Sequence, residues 1–180
     1  MWIHPPQSHL APGNRRSRWI WLYNRQVPAV PEPLRGWLVS EDSLTHRLSH
    51  ICRQPLRVQV LQHGLSRPRL AESRVLGLEP GRLALVREVR LLDGREPLVE
   101  ARSIIPLDVL QGHWRMLARL GEQPLGAVIF SRPGLRRKAL QLALPQAGGC
   151  WGRRNHYRLC GRPLLVSEFF LPALVQRLLG

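Results

Sequence analysis

Two charged residues stand in strand-like segments at positions where the alternation of side chains predicts apolar neighbours. In the segment 82–92, one face of a strand would carry Leu83, Leu85, Arg87, Val89 and Leu91. In the segment 163–171, one face would carry Leu164, Val166, Glu168 and Phe170. Successive side chains of a strand point to opposite faces, so each set lies on one side. Arg87 and Glu168 are therefore predicted to point into an apolar layer.

A buried charge is costly unless it is paired or meets a ligand, and this leaves two interpretations of Arg87 and Glu168. In the structural one, the two residues form a buried ion pair that bridges two strands. In the functional one, Arg87 holds a substrate carboxylate through two parallel hydrogen bonds. Glu168 would then hydrogen-bond to a hydroxyl or ether oxygen, or exchange a proton with it.

The other candidate groups carry weaker signals. His46 and His50 have metal-ligand spacing on a predicted helix, but no third ligand is evident, so a solvated helix face is favoured. Cys150 has no indicated histidine partner, so a plain thiol is favoured over a nucleophile. Arg153 and Arg154 follow a tryptophan and could touch phosphate or RNA bases, although a solvated strand entry is the favoured interpretation.

Composition indicates one domain with a basic surface. The chain has 180 residues and a formal net charge of +15, which biases it toward nucleic acid, acidic lipid or an acidic metabolite. Its three cysteines (Cys52, Cys150 and Cys160) form neither a disulfide framework nor a CxxC metal site, which fits a reducing compartment. No signal-peptide core or run of membrane-spanning length is evident. We expect a cytoplasmic protein without stable membrane insertion.

The order of predicted elements favours an α+β fold. Residues 1–27, rich in arginine and proline, are interpreted as a flexible arm, and residues 28–180 as the domain. Hairpins are predicted around Asp93-Gly94 and around Gly161, with a connecting loop over 68–80 and a helix from Pro106 to Leu120. Hairpins with few, clustered helices indicate an antiparallel sheet. The absence of βαβ alternation and of a phosphate-cradling glycine motif argues against a Rossmann domain.

Four stretches of the chain, in order, resemble the chorismate lyase family, whose enzymes make 4-hydroxybenzoate for ubiquinone. They are WLVSEDSLTHRL (37–48), VREVRLLDGREPLVEARSIIP (86–106), LGEQPLGAVIF (120–130) and WGRRNHYRLCGRPLLVSEFFLP (151–172). The resemblance covers roughly residues 28–172, and the last stretch is long and specific. The arm and the tail 173–180 lie outside it.

The resemblance implies a fold, an activity and a site. The fold is a single antiparallel sheet of about six strands, with helices forming flaps over an internal ligand pocket. The family's catalytic basic and acidic residues fall on Arg87 and Glu168, and its product contacts on Leu44 and Leu125 as well. The activity removes pyruvate from chorismate to give 4-hydroxybenzoate, the first committed step of ubiquinone biosynthesis. The resemblance implies no metal or organic cofactor, and we expect a monomer and product inhibition.

Two other functions remain alternatives. The first is a non-catalytic domain of the same fold that binds an aromatic carboxylate, as in the effector-sensing half of some bacterial transcription regulators. Residues 1–27 are too short and too proline-rich for the helix-turn-helix module such a regulator needs. The second is a basic nucleic-acid-binding protein that uses Arg153, Arg154 and the arginines of the arm. It gives no reason for Arg87 and Glu168 on apolar faces, so we expect no nucleic-acid partner.

Overall fold

One antiparallel sheet of seven strands organises the chain. The computed structural model describes residues 9–11, 14, 18–21, 30–131, 133–145 and 149–180. The strands are β1 (Trp19–Trp21), β2 (Leu56–Ser66), β3 (Ala84–Asp93), β4 (Glu96–Pro106), β5 (Leu135–Ala143), β6 (Trp151–Leu159) and β7 (Arg162–Phe170). Their order across the sheet is β1-β5-β6-β7-β4-β3-β2, with every neighbouring pair antiparallel. The predicted α+β fold with a single antiparallel sheet is confirmed, and the short β1 joins it as a seventh strand.

Five α-helices and one 3₁₀ helix that lie wholly within the described ranges accompany the sheet. They are α1 (Glu32–Val39), α2 (Leu44–Ile51), α3 (Leu70–Leu76), the 3₁₀ helix (Gly112–Arg119), α4 (Leu125–Phe130) and α5 (Pro172–Leu179). The Ser43 hydroxyl caps α2 by accepting a hydrogen bond from the His46 amide. Within the described residues, no helix is long and apolar enough to span a membrane.

Both predicted hairpins are present. Gly94 has a φ of 60° in the β3–β4 turn, and Cys160 and Gly161 have φ values of 49° and 82° in the β6–β7 turn. Two consecutive residues with positive φ give a turn whose twist matches that of the flanking strands. These turns set which residues face each other across β3–β4 and β6–β7, and so they set the register of the site.

The helices divide the sheet into a front face and a rear face. On the front, α1, α2, α4, α5 and the 3₁₀ helix pack on the sheet over two apolar clusters. On the rear, α3 packs over a smaller cluster formed by Leu76, Ala84, Val86, Ile104 and Leu165. Both faces of the central strands are therefore covered, which explains why nearly every residue of β3 and β4 is buried.

Two connections differ from the sequence interpretation. The predicted loop 68–80 contains α3. At its start Glu72 Oε2 accepts a hydrogen bond from the Arg69 amide at 2.8 Å, and the helix ends at Gly77, which is in the left-handed conformation. The predicted helix from Pro106 to Leu120 is wrong in its first half, because Pro106 completes β4. Gly112, with a φ of 56°, interrupts any continuous helix there, and only the 3₁₀ helix follows.

The described residues of the N-terminal segment pack on the domain. Leu10 is fully buried against Ala143 and Phe169, and β1 pairs with β5. Most of the segment 1–27 lies outside the described residues, so the flexible arm and its boundary with the domain stay predictions.

Candidate functional site

Arg87 lies in the middle of β3 on the front face, and its side chain is only 2% exposed. One terminal nitrogen, Nη1, is 2.8 Å from Nδ1 of His63 on β2. The other, Nη2, donates to the Gln123 carbonyl at 2.9 Å, from the turn that precedes α4. Burial lowers the pKa of Arg87, but an arginine side chain stays protonated in a protein. Both of these contacts are to neutral groups, and they set the direction of a buried cation.

Glu168 lies on β7 with its charge compensated from the neighbouring strand. Its Oε2 accepts a hydrogen bond from Arg153 Nε at 2.6 Å and a longer one from Asn155 Nδ2 at 3.3 Å. Arg153 is directly opposite Glu168 in the β6–β7 ladder, so this ion pair is a cross-strand neighbour contact.

The interpretation of Arg87 and Glu168 as an ion pair is wrong. Arg87 is opposite Ser103 on β4, whereas Glu168 is opposite Ala101, so the two charges are separated by one strand and by two residues along it. Strand spacing and rise then place their Cα atoms about 12 Å apart. Both side chains nevertheless line the same pocket. A small ligand could therefore contact Arg87 and Glu168 at once.

The pocket brings together all four residues that the sequence analysis singled out. Leu44 and Leu125 line it together with Arg87 and Glu168. The rest of the lining is mainly apolar, from the sheet and from α4, and includes Val58, Val89, Ile129, Phe130 and Val166. A flat ring with polar groups at its ends suits such a lining, because ligand pockets are mostly apolar with a few fixed polar groups.

Two helix N-termini meet over this pocket. Leu44 is the first residue of α2, and Leu125 is the first residue of α4. The first amides of a helix have no acceptor within the helix, so these main chains can donate to a ligand. Gly126 of α4 allows the N-termini of α2 and α4 to approach each other closely, because a Cβ at this position would lie 3.1 Å from Ser43 Oγ and 3.3 Å from Thr45 Oγ1.

Arg153 is a site residue that the sequence analysis missed. The prediction of a solvated strand entry is wrong, since Arg153 is 1% exposed and lines the pocket. Its Nη1 donates to the carbonyls of Trp37 and Ser40, at the C-terminal end of α1. A cation there also complements the helix dipole. Arg153 thereby ties Glu168 to the segment that leads into α2.

The neighbouring Arg154 points to the rear face, as alternation along a strand requires. It is 4% exposed, donates to Ser167 Oγ at 3.0 Å and lies 4.0 Å from the centre of the Trp19 ring. The fold thus buries two of the arginines on which the nucleic-acid interpretation is based, and the arginines of the arm are the others.

Tyr157 adds a hydroxyl group to the pocket. Burial, and then the negative charge of Glu168, raise the pKa of Tyr157, so its phenol keeps its proton. Its ring packs edge-on against Phe130 of α4, with the centroids 5.8 Å apart. Side chains of β6 alternate between the front and rear faces, so Tyr157 and Asn155 face the front and His156 the rear. Of these three residues, only Tyr157 lines the pocket.

The remaining candidate groups form no second site. His46 and His50 lie exposed on α2 with their rings 4.6 Å apart. In the part of the chain that the structure describes, no group of three or more His, Cys, Asp or Glu side chains could hold a metal. Burial raises the pKa of the Cys150 thiol, which makes it less reactive.

Comparison with known proteins identifies the family. The family model described as chorismate lyase matches residues 15–179. The chain belongs to the chorismate lyase family. A relative from Methylococcus capsulatus named "Probable chorismate pyruvate-lyase" is 40% identical over 157 residues, which cover 79% of this chain and 97% of the relative. A relative of the same name from Marinobacter nauticus is 42% identical over 158 residues, covering 83% of this chain and 81% of the relative.

Among solved structures, PhnF from Mycobacterium smegmatis is similar to this chorismate lyase family member with a TM-score of 0.49 and 14% identity. The match covers 75% of this chain and 66% of PhnF.

Proposed function

We propose that this protein is a chorismate lyase, which removes pyruvate from chorismate to give 4-hydroxybenzoate in the first committed step of ubiquinone biosynthesis. Family membership supports the activity. The observation that supports the site is the placement of Arg87 and Glu168 at separate points of one mainly apolar pocket, beneath the first residues of α2 and α4.

In this reaction the protein itself has little covalent chemistry to perform. Chorismate is a cyclohexadiene with a ring carboxylate, a hydroxyl at C4 and an enolpyruvyl ether at C3. Cleavage of the C3–oxygen bond and loss of the C4 hydrogen make the ring aromatic, while the methylene carbon of the enolpyruvyl group gains a hydrogen and becomes the methyl group of pyruvate. Because aromatisation drives the reaction, the site mainly has to orient the substrate and stabilise charge.

Arg87 is proposed to bind the ring carboxylate. Its guanidinium is held by His63 and Gln123 and lines the pocket, so a carboxylate would meet a cation that is already oriented. A charge-assisted hydrogen bond of this kind contributes about 1.5–3 kcal/mol. The main-chain amides at Leu44 and Leu125 would complete the cradle around the substrate.

Glu168 is proposed to accept a hydrogen bond from the C4 hydroxyl or to act near the departing ether oxygen. Arg153 fixes the carboxylate of Glu168 and compensates its charge. Of the two guanidinium groups that line the pocket, that of Arg153 is thus paired with Glu168, whereas that of Arg87 has no carboxylate partner among the described residues.

Two routes for the hydrogen can be separated by isotope labelling. In a concerted shift, the C4 hydrogen passes directly to the enolpyruvyl methylene carbon. In a stepwise route, Glu168 removes it by general base catalysis, and a proton from the site is delivered to the methylene carbon. With chorismate deuterated at C4 in ordinary water, deuterium in the methyl group of pyruvate would rule out a second route in which the proton on Glu168 exchanges with solvent. Complete washout would rule out the first.

The decisive test of the activity is to incubate the purified protein with chorismate and to measure 4-hydroxybenzoate and pyruvate. We expect equimolar products, and we expect a strong chelator to leave their formation unchanged, since the family resemblance implies no metal. We also expect added 4-hydroxybenzoate to inhibit, since the pocket that binds the substrate ring fits the product ring. A folded protein that binds 4-hydroxybenzoate but forms no product would instead be a binding domain.

We further propose that the enzyme works as a cytoplasmic monomer. Size-exclusion chromatography with light scattering should give the mass of one chain, 20.6 kDa. Fractionation of cells should place the protein in the cytosol, and a mass of two chains or recovery with the membrane fraction would contradict the proposal.

A further inference from the structure

Strand β2 contains an irregularity that turns one histidine toward the site. Val60 pairs with Val89 and Gln62 with Glu88, so Leu61 is an extra residue on β2. Before this bulge, the even-numbered Val58 faces the pocket. After it the odd-numbered His63 is opposite Arg87, on the front face. A β-bulge shifts the alternation by one residue and is a common way to redirect a side chain beside a functional site.

The two contacts of the His63 ring determine its protonation state. Arg87 Nη1 can only donate, so Nδ1 of His63 must accept across their 2.8 Å contact. The Ala118 carbonyl on the 3₁₀ helix can only accept, so Nε2, 3.0 Å away, must carry the proton. The ring is therefore neutral, with its proton on Nε2. A proton on Nδ1 would convert the acceptor into a second donor facing Arg87.

The surroundings of His63 favour this neutral form. Burial and then the positive charge of Arg87 lower the pKa of His63, while the hydrogen bond to Ala118 offsets part of that effect. Arg87 is the charged residue that β3 brings against the ring. The 3₁₀ helix on the other side contributes the Ala118 carbonyl, and its own Arg115 and Arg119 are exposed to solvent.

We propose that His63 is a positioning residue, whose neutral ring holds the guanidinium of Arg87 in the orientation that receives the substrate carboxylate. This inference rests on the proposed function of Arg87. Protonation of His63 removes the acceptor and places two cations in contact, so the guanidinium leaves that orientation. Substrate binding then weakens as the pH falls.

Two substitutions separate the contact with Arg87 from the contact with Ala118. His63→Asn keeps an oxygen near the position of Nδ1 and does not titrate, so it preserves the acceptor for Arg87. His63→Gln extends its amide toward Ala118 and leaves no acceptor at the Nδ1 position. We expect kcat/KM for chorismate to fall about tenfold in His63→Gln, mainly through KM, because one charge-assisted hydrogen bond loses its orientation. His63→Asn should retain most of the wild-type value.

The pH profile distinguishes positioning from a purely structural role. In the wild type, we expect kcat/KM to decline as the pH falls below the ordinary histidine value of 6.5, since the lowered pKa of His63 places its protonation there. In His63→Asn this decline should be absent. A decline that persists unchanged in His63→Asn would overturn the proposal, as would a wild-type kcat/KM that rises toward acid pH.

Nitrogen NMR of the histidine rings tests the same contact without any turnover. The resonances that disappear in His63→Asn belong to His63, and they should show a protonated Nε2 and an unprotonated Nδ1 at neutral pH. If they do and the protein still makes no 4-hydroxybenzoate, the proposed function fails while the contact stands. If His63 carries its proton on Nδ1 or is doubly protonated at neutral pH, the positioning role is refuted whatever the activity.

Discussion

The front and rear faces of the sheet both bury charged side chains, but they satisfy them differently. On the rear, Arg102 of β4 donates to Glu72 of α3 at 2.8 and 3.0 Å and to Glu88 of β3 at 2.7 Å. On the front, Arg87 is held by a histidine ring and a carbonyl. Among the described residues, no carboxylate lies within ion-pair distance of Arg87. Arg87 and Glu88 are adjacent in sequence, yet one faces the pocket and the other faces the closed network.

This difference shows which buried charges indicate a ligand. A buried ion pair with complete hydrogen bonding is a structural unit, and losing one partner leaves an uncompensated charge. A buried cation that has only neutral partners and lines a pocket can be compensated by an anionic ligand. The burial of a charge by itself therefore does not separate Arg87 from Arg102. What separates Arg87 from Arg102 is that Arg87 has no anionic partner among the described residues and lines a pocket.

The largest effect should come from breaking the rear network. Arg102→Met leaves Glu72 and Glu88 buried without their cation, so we expect the free energy of unfolding to fall by about 3–5 kcal/mol. The exposed pair between Arg35 and Glu32 on α1 gives a matched control, and Arg35→Met should change it by no more than about 0.5 kcal/mol. Urea denaturation of both variants measures the difference. Equal stabilities would mean that the rear network adds nothing to the fold.

Substitution of Arg87 on the front face should lower activity strongly and stability only weakly. Arg87→Met removes a cation that has no described carboxylate partner, so stability should change far less than in Arg102→Met. Activity should fall, because about 1.5–3 kcal/mol of carboxylate binding corresponds to one to two decades in kcat/KM. Arg82→Met, at an exposed position just before the same strand, is the control and should keep full activity. Wild-type turnover by a folded Arg87→Met variant would remove Arg87 from the site.

The sequence predicted the site better than it predicted what supports the site. Arg87 and Glu168 follow from alternation, because β3 and β7 themselves contain no extra residue. The irregularity in the β3–β4 ladder is Leu98 on β4, and β6 and β7 pair residue for residue. The pairing across the β6–β7 hairpin also identifies Arg153 as a neighbour of Glu168. A hairpin centred between residues 160 and 161 places residue 153 opposite residue 168, so the position of the turn itself indicates the contact between Arg153 and Glu168.

His63 could not be predicted in the same way. The break in alternation at Leu61 marks where regular pairing fails, but it does not say whether the strand ends or bulges there. Only the pairing with β3 shows that β2 continues to Ser66 and that, after Leu61, its odd-numbered residues rather than its even-numbered ones face the front. The rear network was hidden for a related reason. Strands covered on both faces lose the contrast between polar and apolar sides, and α3 lies in a segment for which the sequence analysis predicts a loop.

Acid should distinguish the two faces through Glu72. Burial alone would raise the pKa of Glu72, but the hydrogen bonds and charge of Arg102 outweigh it and hold the pKa below its ordinary value of 4.5. A carboxyl group with a lowered pKa in the folded state stabilises the protein above its unfolded pKa. That contribution is lost as the pH falls below 4.5 and through the folded value.

Glu72→Gln therefore tests the acid dependence directly. Because glutamine does not titrate, the unfolding free energy of this variant should fall less steeply than that of the wild type as the pH drops below 4.5. Glu96→Gln, at a half-exposed position that begins β4, serves as the control and should follow the wild-type curve more closely. Parallel curves for Glu72→Gln and the wild type would show that Glu72 is not responsible for acid sensitivity.

The smallest effect concerns how tightly the helices close over the front face. A methyl group at Gly126 would meet the hydroxyls of Ser43 and Thr45 at 3.1 and 3.3 Å, so in Gly126→Ala the N-termini of α2 and α4 must separate by a few tenths of an ångström. Leu44 and Leu125 are each next to one of these residues, so the cradle for the substrate should loosen. We expect KM for chorismate to rise about threefold, with overpacking offsetting the roughly 0.5–1 kcal/mol that alanine contributes in a helix. Gly36→Ala on α1, where a Cβ meets nothing within 4 Å, should gain that stability and keep its KM. If both variants gained stability equally and kept the wild-type KM, the contact between α2 and α4 would have no part in substrate binding.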